Sequence, residues 1–135
     1  MTAPVCRKAT PVLFVDTIAP SLAFWRDRLG FTVTAEVPGE DGPVFVILSG
    51  NGIEVMLQTI ASLAAEPHGA AMAWRGDRSS LFIEVDDIDA LATALEGCEI
   101  IAPRHQTFYG ATEIACREPG GHFVTFAAFE AGRDV

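Results

Sequence analysis

Lysine is almost missing from this 135-residue chain: Lys8 is the single example, and nine basic residues in all face 18 acidic ones. With a formal net charge of −9 and no run of arginines, the chain has no stripe able to neutralise several phosphates. Nucleic acid and anionic membrane are therefore poor partners, and a cationic ligand would be attracted. Cysteine is scarce as well. Cys6, Cys98 and Cys116 are odd in number, far apart, and lack the CxxC spacing of a redox pair or zinc clip. They read as buried thiols of a reducing cytosol. No apolar run approaches the roughly 20 residues of a membrane span, and Arg7 and Lys8 are followed by no hydrophobic stretch, so no signal peptide is expected. The expectation is a soluble, cytoplasmic protein.

What is present is a core. Half of the residues are apolar and 20% are charged, a composition that disfavours disorder. A chain of about this length can bury roughly 68% of its unfolded surface, so neither disulfide nor structural metal is required for folding. Residues 1–135 are expected to form one domain.

That domain is internally repeated. The segment from Thr10 to Ile18 (TPVLFVDTI) returns 70 positions later as Ser80 to Ile88 (SLFIEVDDI). Each copy is a β-rich run ending in Val-Asp, then a polar cap, Thr17 or Asp87, then isoleucine, which predicts a strand passing into a helix. The first helix is expected over about Pro20 to Leu29, with Leu22, Trp25, Arg26 and Leu29 on one stripe and Gly30 as its stop. The second is expected over about Ile88 to Glu96, with Ile88, Leu91, Ala92 and Leu95 on its stripe, stopping at Gly97.

After each glycine the pattern becomes extended. Phe31 to Val37, Val44 to Ser49 and Ile53 to Gln58 read as strands joined by the turns 38–43 and 50–52. In the second copy, Glu99 to Ile101, a long loop from Ala102 to Ala111, Thr112 to Arg117, a turn at 118–121 and His122 to Phe129 repeat the plan. The fold class is α+β: two βαβββ modules in tandem, at about 10–58 and 80–129, joined by an alanine-rich linker at 59–79 with one helical turn near Ile60 to Ala65. Trp74 in that linker either packs over a core edge or lines a pocket mouth.

One helix covers only one face of each sheet, so two uncovered faces set together would form a half-closed cleft, where pockets arise. Strand alternation points Thr10, Val12 and Phe14 into it, with Ser80, Phe82 and Glu84 as their repeats. Glu54, Met56 and Gln58 oppose the apolar Ile53, Val55 and Leu57, and symmetry adds Phe123, Thr125 and Ala127. Phe45, Trp74, Phe108 and Tyr109 extend the aromatic lining. Glu54 beside Met56 is the candidate pocket carboxylate. His68, His105 and His122 share no metal-ligand spacing and read as surface or loop residues, although His105 and Tyr109 flank the long loop and could touch a ligand. No nucleophilic triad is supported, and Gly120-Gly121 lies in a hairpin rather than ahead of a helix, so it is no phosphate cradle.

The runs Pro11-Val-Leu-Phe-Val-Asp16 with Ser21-Leu-Ala-Phe-Trp-Arg-Asp-Arg-Leu-Gly-Phe31, Gly52-Ile-Glu-Val-Met-Leu-Gln58, and Phe108 to Phe126 with its Glu118-Pro-Gly-Gly121 turn together resemble the vicinal oxygen chelate superfamily. That family comprises glyoxalase I, bleomycin resistance proteins and extradiol dioxygenases. The resemblance implies that enzymes of the family hold a divalent metal at four positions, which fall here on Thr10, Glu54, Ser80 and Thr125. Only Glu54 is a plausible ligand, so no metal cofactor is expected and the closest kinship is to the metal-free, bleomycin-resistance-like branch. The implied function is sequestration of a bulky aromatic or cationic compound. The alternative is a lyase, isomerase or dioxygenase using Glu54 as base or metal ligand. The resemblance also implies a homodimer, with the cleft built within one chain or between two.

Overall fold

A computed structural model of the chain describes Val5, residues 8–65 and residues 80–130. The first module contains β1 (Val12–Val15), α1 (Ala19–Leu22), a π-helical segment Ala23–Arg28, β2 (Thr32–Gly39), β3 (Gly42–Gly50) and β4 (Ile53–Thr59). A short α2 (Ile60–Ala64) follows, capped by Thr59, whose hydroxyl accepts from the Ser62 amide at 3.1 Å. The second module contains β5 (Ser80–Glu84), α3 (Ile88–Ala94), β6 (Glu99–Gln106), β7 (Ala111–Arg117) and β8 (Phe123–Phe129). The strand orders are β1-β4-β3-β2 and β5-β8-β7-β6. In both sheets the first strand runs parallel to the last and the other pairings are antiparallel. These are two copies of one mixed βαβββ sheet.

Several local expectations are corrected. Thr17 is not a helix cap; Ile18 occupies that position without a side-chain hydrogen bond, whereas Asp87 does cap α3, accepting from the Asp89 and Ala90 amides at 3.1 Å. The first helix widens after one turn into π geometry, with the Leu29 amide donating back to the Phe24 carbonyl at 3.2 Å. That wider turn brings both Phe24 and Trp25 inside and leaves Arg26 exposed, paired with Asp27, so the expected stripe containing Arg26 is displaced.

The strand β6 runs on to Gln106 instead of ending at Ile101. The expected loop contains Pro103, but β6 is an edge strand whose pairing slips between Ala102 and His105, and an edge tolerates the missing amide. The same holds for Pro38, paired opposite Pro43, which shortens the first turn to Glu40-Asp41. Gly30 and Gly97 end the two helical segments as expected, at φ +78° and +85°.

One apolar cluster runs through both modules, joining Val15, Leu22, Trp25, Val55 and Leu57 to Ile88, Leu91, Ile114, Val124 and Phe126. Alternation produces it: in each sheet the residues of one parity lie under a helical segment, and each large aliphatic side chain so buried contributes about 1.5–3 kcal/mol. Two polar joints tie the modules. The Arg28 guanidinium donates to the Ala94 and Glu96 carbonyls at 3.2 and 2.5 Å, satisfying acceptors that the end of α3 leaves open. His122 is the second joint: it is 3% exposed, not a surface residue, and its Nε2 lies 2.9 Å from the Phe14 carbonyl. Among the described residues no helix is long and apolar enough to cross a membrane.

Candidate functional site

The face of each sheet turned from the helices carries the sequence-predicted site. On the first sheet the register sets Val12 beside Met56 and Ile47, and Phe14 beside Gln58 and Phe45. Glu54 lies opposite Ser49 at the other end of the same face. Thr10, just ahead of β1, donates its hydroxyl to Glu54 Oε1 at 3.2 Å. Lys8 Nζ sits 2.7 Å from that same oxygen. The hydrogen bond from Lys8 holds the Glu54 carboxyl below its ordinary range, partial burial opposing it and the Lys8 charge and Thr10 hydroxyl assisting. Glu54 is thus an ionised, already paired group.

On the second sheet the rows are Ser80, Phe123 and Arg117; then Phe82, Thr125 and Ala115; then Glu84, Ala127, Glu113 and His105. Phe123 carries the Arg117 guanidinium over its ring at 4.5 Å to the centroid. Phe82 meets Phe129 (centroids 6.4 Å apart), Phe129 meets Tyr109 (6.2 Å), and Tyr109 meets Phe108 edge-on (5.2 Å). The row is large and incompletely covered: Phe108 is fully exposed and Phe82 is 51% exposed. An apolar patch of that kind marks a binding surface more often than plain surface.

Sequence reasoning missed Glu113 and Phe129. Glu113 is 6% exposed, accepts a hydrogen bond from the Tyr109 hydroxyl, and lies 3.7 Å from His105 Nε2. That hydrogen bond to Glu113, chiefly, raises the Tyr109 phenol above its ordinary value. The signal was there: along β7, Ile114 and Cys116 face the core, so Glu113, Ala115 and Arg117 face away. Of the expected residues, Thr10 and Glu54 come together on one sheet, and Ser80, Phe82, Phe123 and Thr125 share a face of the other, with Phe108 and Tyr109 on the loop at its edge. Trp74 and His68 lie outside the described residues. Among the described residues no group of three or more His, Cys, Asp or Glu side chains converges to hold a metal.

A groove of about 840 Å³ opens at the seam between the modules, lined by Phe31, Asn51 and Ile53 on one side and by Ile83, Asp87, Leu91 and Phe126 on the other. It contains none of Thr10, Glu54, Ser80 or Thr125. Elsewhere between the modules the Glu118–His122 turn is close-packed against Val15 and Ser21. An added Cβ at Gly120 would stand 2.6 Å from Glu118 Oε1 and 2.9 Å from Ser21 Oγ, and would overlap the Val15 side chain.

Residues 8–126 match the family described as the glyoxalase/bleomycin resistance protein/dioxygenase superfamily. The chain belongs to that superfamily. Its fold is similar to a glyoxalase/bleomycin resistance protein/dioxygenase from Nocardioides, with a TM-score of 0.72 and 21% identity over 97% of this chain and 89% of that one. It is also similar to lactoylglutathione lyase from Agrobacterium tumefaciens (TM-score 0.68, 18% identity, 93% of this chain and 96% of that one). A third similar structure is TioX from Micromonospora sp. ML1 (TM-score 0.69, 17% identity, 93% and 100%). At such identities these likenesses concern the fold, which hosts many activities. No match to a curated protein sequence was found.

Proposed function

We propose that this superfamily member is a small-molecule-binding protein that sequesters a bulky aromatic or cationic compound without a metal and without transforming it. The observation that carries the reading is the aromatic row Phe82, Phe129, Tyr109 and Phe108 on a sheet face with half or more of two rings uncovered. Covering roughly 200 Å² of such surface gains about 5 kcal/mol, part of which is lost to ordering the ligand. Stacking geometry adds preference for flat rings.

The donor set supports the metal-free part. The four positions supply three neutral hydroxyls, Thr10, Ser80 and Thr125, and one carboxylate, Glu54, whose Oε1 is already taken by the Lys8 ammonium and the Thr10 hydroxyl. A divalent ion would have to displace a cation to gain one good ligand, and such sites need several. These residues do not fit a divalent metal. Glu54 as general base is likewise disfavoured, because a carboxylate held low by Lys8 is a weak base.

Self-association is part of the same reading. Val37 on edge strand β2 and Ile100 and Ile101 on edge strand β6 are exposed, and uncovered edges with apolar side chains favour pairing with a second copy. The free thiols of Cys98 and Cys116 suit a reducing cytoplasm. A thermal-shift screen against flat aromatic drugs and metabolites, run with and without a chelator, tests the function. We expect ligands that raise the melting temperature equally in both conditions and are recovered unchanged. Binding that needs stoichiometric divalent metal, or turnover of the bound compound, overturns the proposal.

A further inference from the structure

The uncovered face of the second sheet carries a second feature, and from it we propose that Glu113 is the anion of an organic-cation subsite, receiving the quaternary or N-alkylated heteroaromatic nitrogen of a flat ligand beside the rings of Tyr109, Phe129 and Phe82. The inference rests on the small-molecule reading above and gives that site a charge preference and an anchor.

Strand β7 places Glu113 on the ligand face, opposite Ala127 of β8 and in one cross-strand row with Glu84 of β5 and His105 of β6. It is almost wholly buried, yet among the described residues neither lysine nor arginine pairs with it. Its partners there are the neutral Tyr109 hydroxyl and His105, 3.7 Å away and cationic only when protonated. A hydroxyl donor leaves the charge of the carboxylate in place, and a buried charge without a fixed counter-ion gains most from one that arrives.

The rings supply the rest. Phe82 and Phe129 stand in the rows on either side of Ala127, so their 6.4 Å contact spans it, which accounts for its complete burial. Phe129 continues to Tyr109, whose hydroxyl is fixed on Glu113. An ammonium or ring nitrogen within about 6 Å of these faces is attracted by their quadrupoles, and the carboxylate lies beside them. A quaternary centre offers no hydrogen-bond donor, so it leaves the Tyr109–Glu113 bond intact while contributing charge. On the uncovered faces Glu54 is already neutralised by Lys8, and Glu84, across Ala127 from Glu113, is exposed to water, so the burden of charge recognition falls on the buried Glu113.

The test uses two probes of the same shape, 1-methylquinolinium and the neutral 1-methylnaphthalene, titrated into the full chain by calorimetry or NMR. We expect the cation to bind about tenfold more tightly than the hydrocarbon, the preference to fall to about one in Glu113→Gln with hydrocarbon affinity unchanged, and to survive in Glu113→Asp and Glu54→Gln. A preference that is absent from the wild type, survives Glu113→Gln, or disappears in Glu54→Gln overturns the assignment. If hydrocarbon binding persists with no preference for charge, the small-molecule reading stands and this inference fails. If neither probe nor any screened aromatic binds, both fall.

Discussion

The Lys8 ammonium lies 2.7 Å from Glu54 Oε1, on the one carboxylate among the four positions that metal-dependent relatives would use. Lys8 is the sole lysine of a chain with net charge −9, and it is spent on this acid. The folded-state pKa of Glu54 is depressed, chiefly by the hydrogen bond from Lys8. A depressed carboxyl contributes stability above its unfolded pKa of about 4.3, and that contribution is lost as pH falls through the folded value. Lys8→Met should therefore lower the urea midpoint at pH 7 and lower it less in acid, once pH has fallen through the depressed value of Glu54. An equal loss at pH 7 and in acid would mean that Lys8 acts by packing rather than charge.

Arg28 tests the seam between the modules. Its Nη1 serves the last carbonyl of α3 and the Glu96 carbonyl in the turn beyond it, from the opposite module, so truncation frees acceptors at a helix end and loosens one module from the other. Arg28→Ala is expected to cost about 1 kcal/mol, below the roughly 1.5–3 kcal/mol of hydrogen bonds to a charged group because the side chain is exposed. Hydrogen exchange should accelerate selectively over residues 92–98, whereas uniform acceleration would place the effect in global stability alone.

The architecture was legible because the chain states it twice. The Val-Asp-x-Ile signal, the helix-ending Gly30 and Gly97 and the hairpin turns act within a few residues, and local rules suffice for them. What escaped was set by tertiary context. Pro38 falls in the expected turn and Pro103 in the expected loop, yet each lies on an edge strand where no partner needs its amide. Phe24 was missed because the 3.6-residue period fails where the helix widens to a π turn. In the site, Glu54 was found through its neighbour Met56, but its neutralisation by Lys8 depends on a segment 46 residues away in sequence. Glu113 sat inside a region assigned correctly as strand; the parity of that strand was enough to place it on the ligand face, and only its partner Tyr109 required the fold.

Gly120 is fixed by crowding, not by a left-handed backbone. A methyl group there would overlap Val15 and approach Glu118 Oε1 and Ser21 Oγ, and both of these residues are buried. No flexible side-chain end can move aside without disturbing the joint at which the His122 ring meets the Phe14 carbonyl. Gly120→Ala is expected to destabilise by about 2–3 kcal/mol, the cost typical of overpacking a closed core. Equilibrium denaturation measures it. A loss below about 0.5 kcal/mol would show that the turn can shift as a unit.

The cysteines differ in a way that pH should expose. Cys116 lies in the shared core, and burial, assisted by the neighbouring Cys98 and Glu118, pushes its thiol up to about 12. Thiolate is the reactive form, so iodoacetamide at pH 8 should leave Cys116 unmodified in the native protein while the half-buried Cys98 reacts first, and peptide mass mapping separates the two. The raised value also carries a stability term of definite sign. The folded state retains a proton that the unfolded chain releases above about pH 8.5, so this contribution is complete below that pH and declines steadily as pH rises toward 12. Cys116→Ser, whose hydroxyl does not titrate in this range, should abolish that part of the alkaline decline even though it lowers stability at neutral pH. If wild type and Cys116→Ser lose stability in parallel between pH 8.5 and 11, the alkaline sensitivity arises elsewhere.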